Sequence, residues 1–250
     1  MKFIGIIPAR YESTRFPGKP LALLNSKPMI QWVYENVAKI LEHVWVATDD
    51  DRIFNAVKEF GGNAVKTLPT HQSGTDRCAE AARILAEKID FDVVINIQGD
   101  EPFIQPDQIE LLKSCFTDKT EIATLIKKIE TLEELFNPNR PKVVLDNKQN
   151  ALYFSRSSIP FARGKEEKNW LFATTFWAHI GMYAYKSDVL QKITKLKTGK
   201  LELAESLEQL RWLENGFKIK TAVTNHQSIG IDTPEDLKNA LQLLKNNIVT

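Results

Sequence analysis

The sequence predicts an α/β fold: an open, mostly parallel sheet with helices on both faces. Two observations carry this. Short β-branched runs alternate with amphipathic stretches through the first half of the chain, which is the rhythm of strands joined by crossover helices. The run Val93-Val94-Ile95-Asn96-Ile97 is apolar nearly throughout, as suits a parallel strand covered on both faces.

Taken in order, Phe3–Ile7 is a strand that stops at Pro8, and Ile30–Leu41 a helix. Val44–Thr48 is the next strand, followed by a helix over Asp51–Phe60. The acidic run Asp49-Asp50-Asp51 directly before that helix suits capping and the helix dipole better than metal binding. Val93–Gln98 and Pro106–Phe116 form a further strand and helix. From about Ile122 the texture becomes strand-rich, with strands expected over Ile122–Ile129, Val143–Leu145, Ala151–Phe154 and Ile180–Tyr185. The hydrophilic stretch Arg163–Asn169 is an exposed connection. We therefore expect a single domain over residues 1–250 with an inserted lobe over approximately 122–216. A helix over Leu203–Glu214, a strand over Lys218–Val223 and a final helix to about Lys245 return the chain to α/β character. Thr233-Pro234-Glu235-Asp236 supplies that last helix with an N-cap, a proline at the first position and acids in the first turn.

Composition narrows the function classes. Lys+Arg 33 against Asp+Glu 32 leaves a net charge of +1, so nothing global recommends a nucleic-acid or membrane-surface partner, and any anion site must be local. Cys78 and Cys115 are too few for a disulfide framework and are expected to be reduced core thiols. His43, His71, His179 and His226 lack zinc-binding spacing. No signal-like N-terminal segment is visible, and no apolar run approaches the ~20 residues of a membrane span, so a cytoplasmic location is expected.

In an open parallel sheet, ligands lie outside the carboxyl ends of the strands. Those ends are Pro8-Ala9-Arg10, Thr48-Asp49-Asp50 and Gln98-Gly99-Asp100-Glu101. After the first strand, Arg10, Arg15 and Lys19 sit in a segment that Pro17, Gly18 and Pro20 keep from becoming helix. Their side chains and nearby backbone N–H groups can converge on a polyanion such as a triphosphate; a plain solvated loop is the other reading. The loop carries neither G-x-G-x-x-G nor a P-loop, since Gly18-Lys19 is followed by Pro20. Asp100 is the first candidate to hold the Mg²⁺ that a triphosphate calls for, and Asp232 the second. Each could instead serve its own turn or helix cap. The aromatics Trp170, Phe172, Phe176 and Trp177 suit packing or a subunit contact.

Several motifs, in this order, resemble the 3-deoxy-manno-octulosonate (Kdo) cytidylyltransferase family, the CMP-Kdo synthetases. They are Ile7-Pro8-Ala9-Arg10-Tyr11, Ser13–Leu21, His71-Gln72-Ser73-Gly74-Thr75-Asp76-Arg77, Asn96–Pro102, Ala151–Arg156, His179-Ile180-Gly181, Leu207–Arg211 and Asp232–Asp236. The resemblance implies a Rossmann-like nucleotide-diphospho-sugar transferase fold, a homodimer, and transfer of CMP from CTP to Kdo with Mg²⁺, for lipopolysaccharide synthesis. It implies that Pro8, Ala9, Arg10, Arg15, Lys19, Ser73, Gly74, Thr75 and Gln98 bind CTP, with Ser73-Gly74-Thr75 a loop against the cytidine. It implies Asp100 and Asp232 as metal ligands, with Lys19 beside them in catalysis. Gln98, Arg156, His179, Tyr183, Glu208 and Gln209 are the implied sugar-binding set. Arg140-Pro141 departs from the family pattern, which has a less rigid pair before the strand. Competing expectations are a related acid sugar, such as 8-amino-Kdo or a sialic acid, and a catalytically silent nucleotide-binding protein on the same fold.

Overall fold

Strand β1 (Phe3–Pro8) shows why this sheet reads as an unbroken apolar run. Ile4, Ile6 and Ile7 are all fully buried, although successive side chains of a strand point to opposite faces, so both faces are covered. The structure, a computed structural model, describes residues 1–226 and 230–245. These fall into two compact units, one from the described residues of Met1–Glu110 and Ser228–Thr250, the other from those of Leu111–Gln227.

In the first unit, β1 is followed by a two-residue hairpin of β2 (Leu23–Leu24) and β3 (Lys27–Pro28), then helix α1 (Met29–Ala38). Strand β4 (Val44–Thr48), helix α2 (Asp51–Glu59), strand β5 (Ala64–Lys66), helix α3 (Gly74–Leu85) and strand β6 (Val93–Asn96) continue the alternation. The chain leaves the unit within helix α4 (Pro106–Ser114). The four strands run parallel in the order β6-β1-β4-β5, with Gly5 level with both Ile95 and Val44, and Val46 level with Ala64.

Asp50 caps α2, its carboxylate accepting from the Arg52 N–H at 2.9 Å, as the acidic run predicts. The last helix, Pro234–Lys245, starts as predicted too. Thr233 accepts from the Asp236 N–H, and Asp236 accepts in return from the Thr233 N–H at 2.8 Å. Ile231 and Ala240 pack with Leu24, Met29 and Phe103 in one buried cluster, which fixes the last segment beside the opening loop. Both cysteines are buried and free.

Two elements depart from the sequence reading here. Strand β5 is only three residues long, too short to show a period. Helix α3 begins at Gly74, so Ser73-Gly74-Thr75 is a helix start and not a loop. Ser73 is its N-cap, the hydroxyl accepting from the Asp76 N–H at 3.1 Å.

The second unit holds strands β7 (Ile122–Lys128), β8 (Lys142–Leu145), β9 (Ala151–Ser155), β10 (Trp177–Lys186) and β11 (Ile219–Val223). Its helices are α5 (Leu132–Phe136), α6 (Trp170–Ala173), α7 (Ser187–Ile193), α8 (Lys200–Glu205) and α9 (Gln209–Glu214). Strand β7 pairs with β11 in parallel and with β10 antiparallel; β8 pairs antiparallel with both β10 and β9. Trp170 and Phe176 stack within a satellite core with Ile129, Leu135 and Ala178. The Arg140 guanidinium donates to Glu134 at 2.9 Å just before β8.

The predicted helix over Leu203–Glu214 is two helices. Ser206 stands between them in the left-handed region, φ 51°. The physical reason is a long-range contact. Arg156 donates from Nε to the Glu205 carbonyl at 2.7 Å and from a terminal nitrogen to the Ser206 carbonyl at 3.3 Å, occupying oxygens that a continuous helix would use internally.

Candidate active site

The cationic loop after β1 does converge on carboxylates. The Lys19 ammonium lies 2.6 Å from Asp100 Oδ2 and 3.1 Å from Asp232 Oδ1, and the Arg15 guanidinium lies 3.1 Å from Asp232 Oδ2. Lys19 is mostly enclosed, its side chain 15% exposed, so its pair with Asp100 is less screened than the outer Arg15 contact. A backbone bond joins the two aspartate segments directly, the Ile231 N–H donating to the Asp100 carbonyl at 2.9 Å.

These groups border a cleft of about 270 Å³. Pro8, Ala9, Arg10, Arg15, Lys19, Ser73, Gly74, Gln98, Asp100 and Asp232 all line it, so ten of the sequence-predicted residues share one surface. Thr75 is buried in the first turn of α3 behind Gly74. Gly74 packs closely on β1: a Cβ there would stand 3.3 Å from the Pro8 ring, a tight contact. The start of α3 therefore lies against the end of β1, with the positive end of its dipole at the cleft.

The residues missed by the sequence reading include Gln72 and Arg77, which also line the cleft. Arg77 is 5% exposed, 2.7 Å from Asp49 and donating to Thr67 Oγ1 at 2.6 Å. It sits one turn beyond Ser73, a signal available only once α3 is recognised as a helix. His71 rests on Glu80 at 2.6 Å. Burial pushes the Glu80 carboxyl up, but the His71 imidazole and the Leu68 N–H outweigh it and hold it below the usual range.

In the second unit, four of the predicted sugar residues lie close together. Strand β10 carries two residues more than its partner between Ile180 and Tyr183, a bulge held by Thr124, whose hydroxyl lies 2.8 Å from the Met182 carbonyl and 3.1 Å from His179 Nε2. The His179 and Tyr183 rings are thereby 5.2 Å apart, and Trp212 of α9 meets Tyr183 edge-on at 5.1 Å. Burial drives the His179 imidazole down to about 3. Burial, then the nearby Glu208 charge, raises the Tyr183 phenol well above its ordinary value. Gln209 is 5% exposed, and its buried side-chain nitrogen has no hydrogen-bond partner among the described residues. Arg156 gives three of its N–H groups to carbonyls, of Pro138, Glu205 and Ser206, and by count retains two.

The chain matches the cytidylyltransferase family over residues 4–219. It is 60% identical to the 3-deoxy-manno-octulosonate cytidylyltransferase of Parabacteroides distasonis, covering 98% of this chain and 99% of that protein. It is 59% identical to the protein of the same name from Bacteroides thetaiotaomicron, with the same coverage. Among solved structures it is similar to a CMP:2-keto-3-deoxy-manno-octonic acid synthetase complexed with CTP, at a TM-score of 0.90 and 42% identity, over 99% of this chain and 100% of that one. A cytidylyltransferase from Leptospira borgpetersenii shares the fold alone, at 16% identity and a TM-score of 0.61. The chain belongs to the 3-deoxy-manno-octulosonate cytidylyltransferase (CMP-Kdo synthetase) family.

Proposed function

We propose that the protein transfers CMP from CTP to Kdo, releasing pyrophosphate and activating Kdo for lipopolysaccharide synthesis. The observation that carries this is the meeting of Arg15, Lys19, Asp100 and Asp232 at one cleft, in a chain 42% identical to a synthetase complexed with CTP. On this reading Arg10, Arg15 and Lys19 grip the triphosphate. Pro8, Ala9, Ser73, Gly74 and Gln98 surround the nucleoside, and Thr75, buried behind Gly74, supports that wall without touching the nucleoside.

Asp100 and Asp232 would hold Mg²⁺. Their fit to it rests on an observed feature: the two carboxylates already share one cation, the Lys19 ammonium. Among the described residues no group of three or more His, Cys, Asp or Glu side chains is set to hold a metal alone. Two hard oxygen donors completed by phosphate oxygens suit Mg²⁺. Bound there, the ion supplies charge neutralisation at the reacting phosphate and acidifies the attacking hydroxyl.

The anomeric hydroxyl oxygen of Kdo attacks the α-phosphorus in line with the departing pyrophosphate. The new P–O bond forms as the bond to the bridging oxygen breaks, and the hydroxyl proton passes to solvent. Lys19, Arg15 and Arg10 take up the charge that grows on the leaving pyrophosphate, so positioning and electrostatics carry the rate without a protein nucleophile. Kdo is a carboxylate with many hydroxyls. The two remaining N–H groups of Arg156 suit the carboxylate, and the unpartnered amide of Gln209 suits a hydroxyl, with His179, Tyr183 and Glu208 completing the set in the second unit. His179, neutral at pH 7, serves as a hydrogen-bonding group and not as a cation.

We place the enzyme in the cytoplasm, where CTP is made, and propose a homodimer. Supporting the dimer, Phe172, Phe161 and Leu203 of the second unit are 90%, 73% and 70% exposed, each a large apolar side chain that a partner could cover. Incubation with CTP, Kdo and Mg²⁺ should release one pyrophosphate per CMP-Kdo formed, faster than with 8-amino-Kdo or N-acetylneuraminate. Absence of release above a no-enzyme control defeats the proposal, and preference for another sugar corrects the acceptor.

A further inference from the structure

We infer that Arg52 is a positioning residue for the triphosphate-gripping loop, acting through a stack on Tyr11. The Arg52 guanidinium carbon stands 3.2 Å over the centre of the Tyr11 ring. The guanidinium is itself held, its Nε donating to Asp50 Oδ1 at 3.0 Å and a terminal nitrogen to Asp50 Oδ2 at 2.6 Å. Asp50 is anchored in turn: its carboxylate caps α2, and its N–H donates to Thr48 Oγ1 at the end of β4. A planar cation fixed on two edges offers a flat face to an aromatic ring, which an ammonium cannot do.

The ring also meets Gly18. A Cβ at Gly18 would lie 3.0 Å from Tyr11 Cζ, and the Gly18 backbone is left-handed at φ 70°. The Gly18 N–H donates to the Tyr11 carbonyl at 2.8 Å, closing residues 11–18 into a loop. Arg10 precedes this closure and Lys19 follows it, so one clamp fixes where both cations emerge. Neither Tyr11 nor Arg52 lines the cleft. Both line the adjoining hollow with Glu12, Thr14 and Pro17, and with Arg10 and Ser13, which border the cleft as well. Through Tyr11, Arg52 acts on the loop, holding Arg10, Arg15 and Lys19 in a geometry that a free loop would visit only part of the time.

The inference rests on the reading that this loop holds the triphosphate, and the test separates the two. The full-length protein is titrated with CTP and with CMP in Mg²⁺ buffer. Arg52→Ala should weaken CTP about fivefold, the size of one exposed cation–π contact, and leave CMP within about twofold, because the loss falls on the outer phosphates. Arg52→Lys should fall between, Tyr11→Phe should bind as wild type, and Tyr11→Leu should match Arg52→Ala with no further loss in the double variant. Wild-type CTP affinity in Arg52→Ala, or equal losses for CTP and CMP, overturns the inference. Should Arg52→Ala fail to fold, Tyr11→Leu and Arg52→Lys carry the same comparison. Arg15→Ala is the control: CTP binding unchanged there removes the triphosphate reading itself, whereas loss there with none in Arg52→Ala removes only the stack.

Discussion

Asp100 and Asp232 lie 132 positions apart in sequence yet share the Lys19 ammonium, and the contacts on each side differ in kind. Asp232 also meets Arg15, whereas Asp100 meets Lys19 alone among these cations, at 2.6 Å. Asp100→Asn removes the negative charge but keeps the shape, so CTP should still bind while pyrophosphate release falls by roughly 100-fold or more in a coupled assay. Wild-type turnover would take Asp100 out of the reacting centre. A second residue makes a pH statement. Burial lowers the folded-state pKa of His179 to about 3 from 6.5, so between those values the unfolded chain binds a proton that the folded one does not. Its contribution is intact above pH 6.5 and is lost as the pH falls toward 3. His179→Gln cannot titrate there, and the stability advantage of wild type over this variant should shrink by about 1–2 kcal/mol between pH 7 and pH 5 in urea melts. An advantage independent of pH would mean the imidazole is not buried neutral.

At the scale of elements, the start of α3 joins stability to the site. Ser73→Ala deletes the cap and should cost about 1 kcal/mol in urea unfolding, with weaker CTP binding because Gly74 sits against Pro8 at the cleft. A stability loss with CTP affinity untouched would make the cap structural only. The same elements show what sequence could and could not reveal. Strands β1, β4 and β6 were legible because parallel strands buried on both faces are apolar nearly throughout, and the polar residues beyond their ends, Arg10, Asp49 and Asp100, mark the cleft side directly. Helix α3 was hidden because Gly74-Thr75-Asp76 has the composition of a turn, and with it went Arg77, whose ion pair to Asp49 depends on the helical turn. The split between α8 and α9 was illegible for another reason. Leu203, Leu207 and Leu210 keep a helical spacing straight through it, and the break is imposed by Arg156 from about 50 residues away.

For the molecule as a whole, the exposed apolar side chains of the second unit lead to a measurement of mass. Light scattering after gel filtration should give twice 28.5 kDa, and Phe172→Glu with Phe161→Glu should shift the protein toward the monomer. A wild-type mass of one chain would remove the dimer proposal. Among the described residues no helix is long and apolar enough to cross a membrane.

The hydrogen bond from Ile231 to Asp100 has a meaning in time as well as in space. Chain order puts the whole of Leu111–Gln227 between the two aspartates, so a ribosome must finish the second unit before the segment bearing Asp232 emerges. A nascent chain that exposes the cationic loop and Asp100 is still missing one carboxylate, and with it the last helix that buries Ile231 and Ala240. A stop near residue 228 would therefore yield a chain that carries Arg15 and Lys19 without the Asp232 carboxylate that both of them meet in this structure.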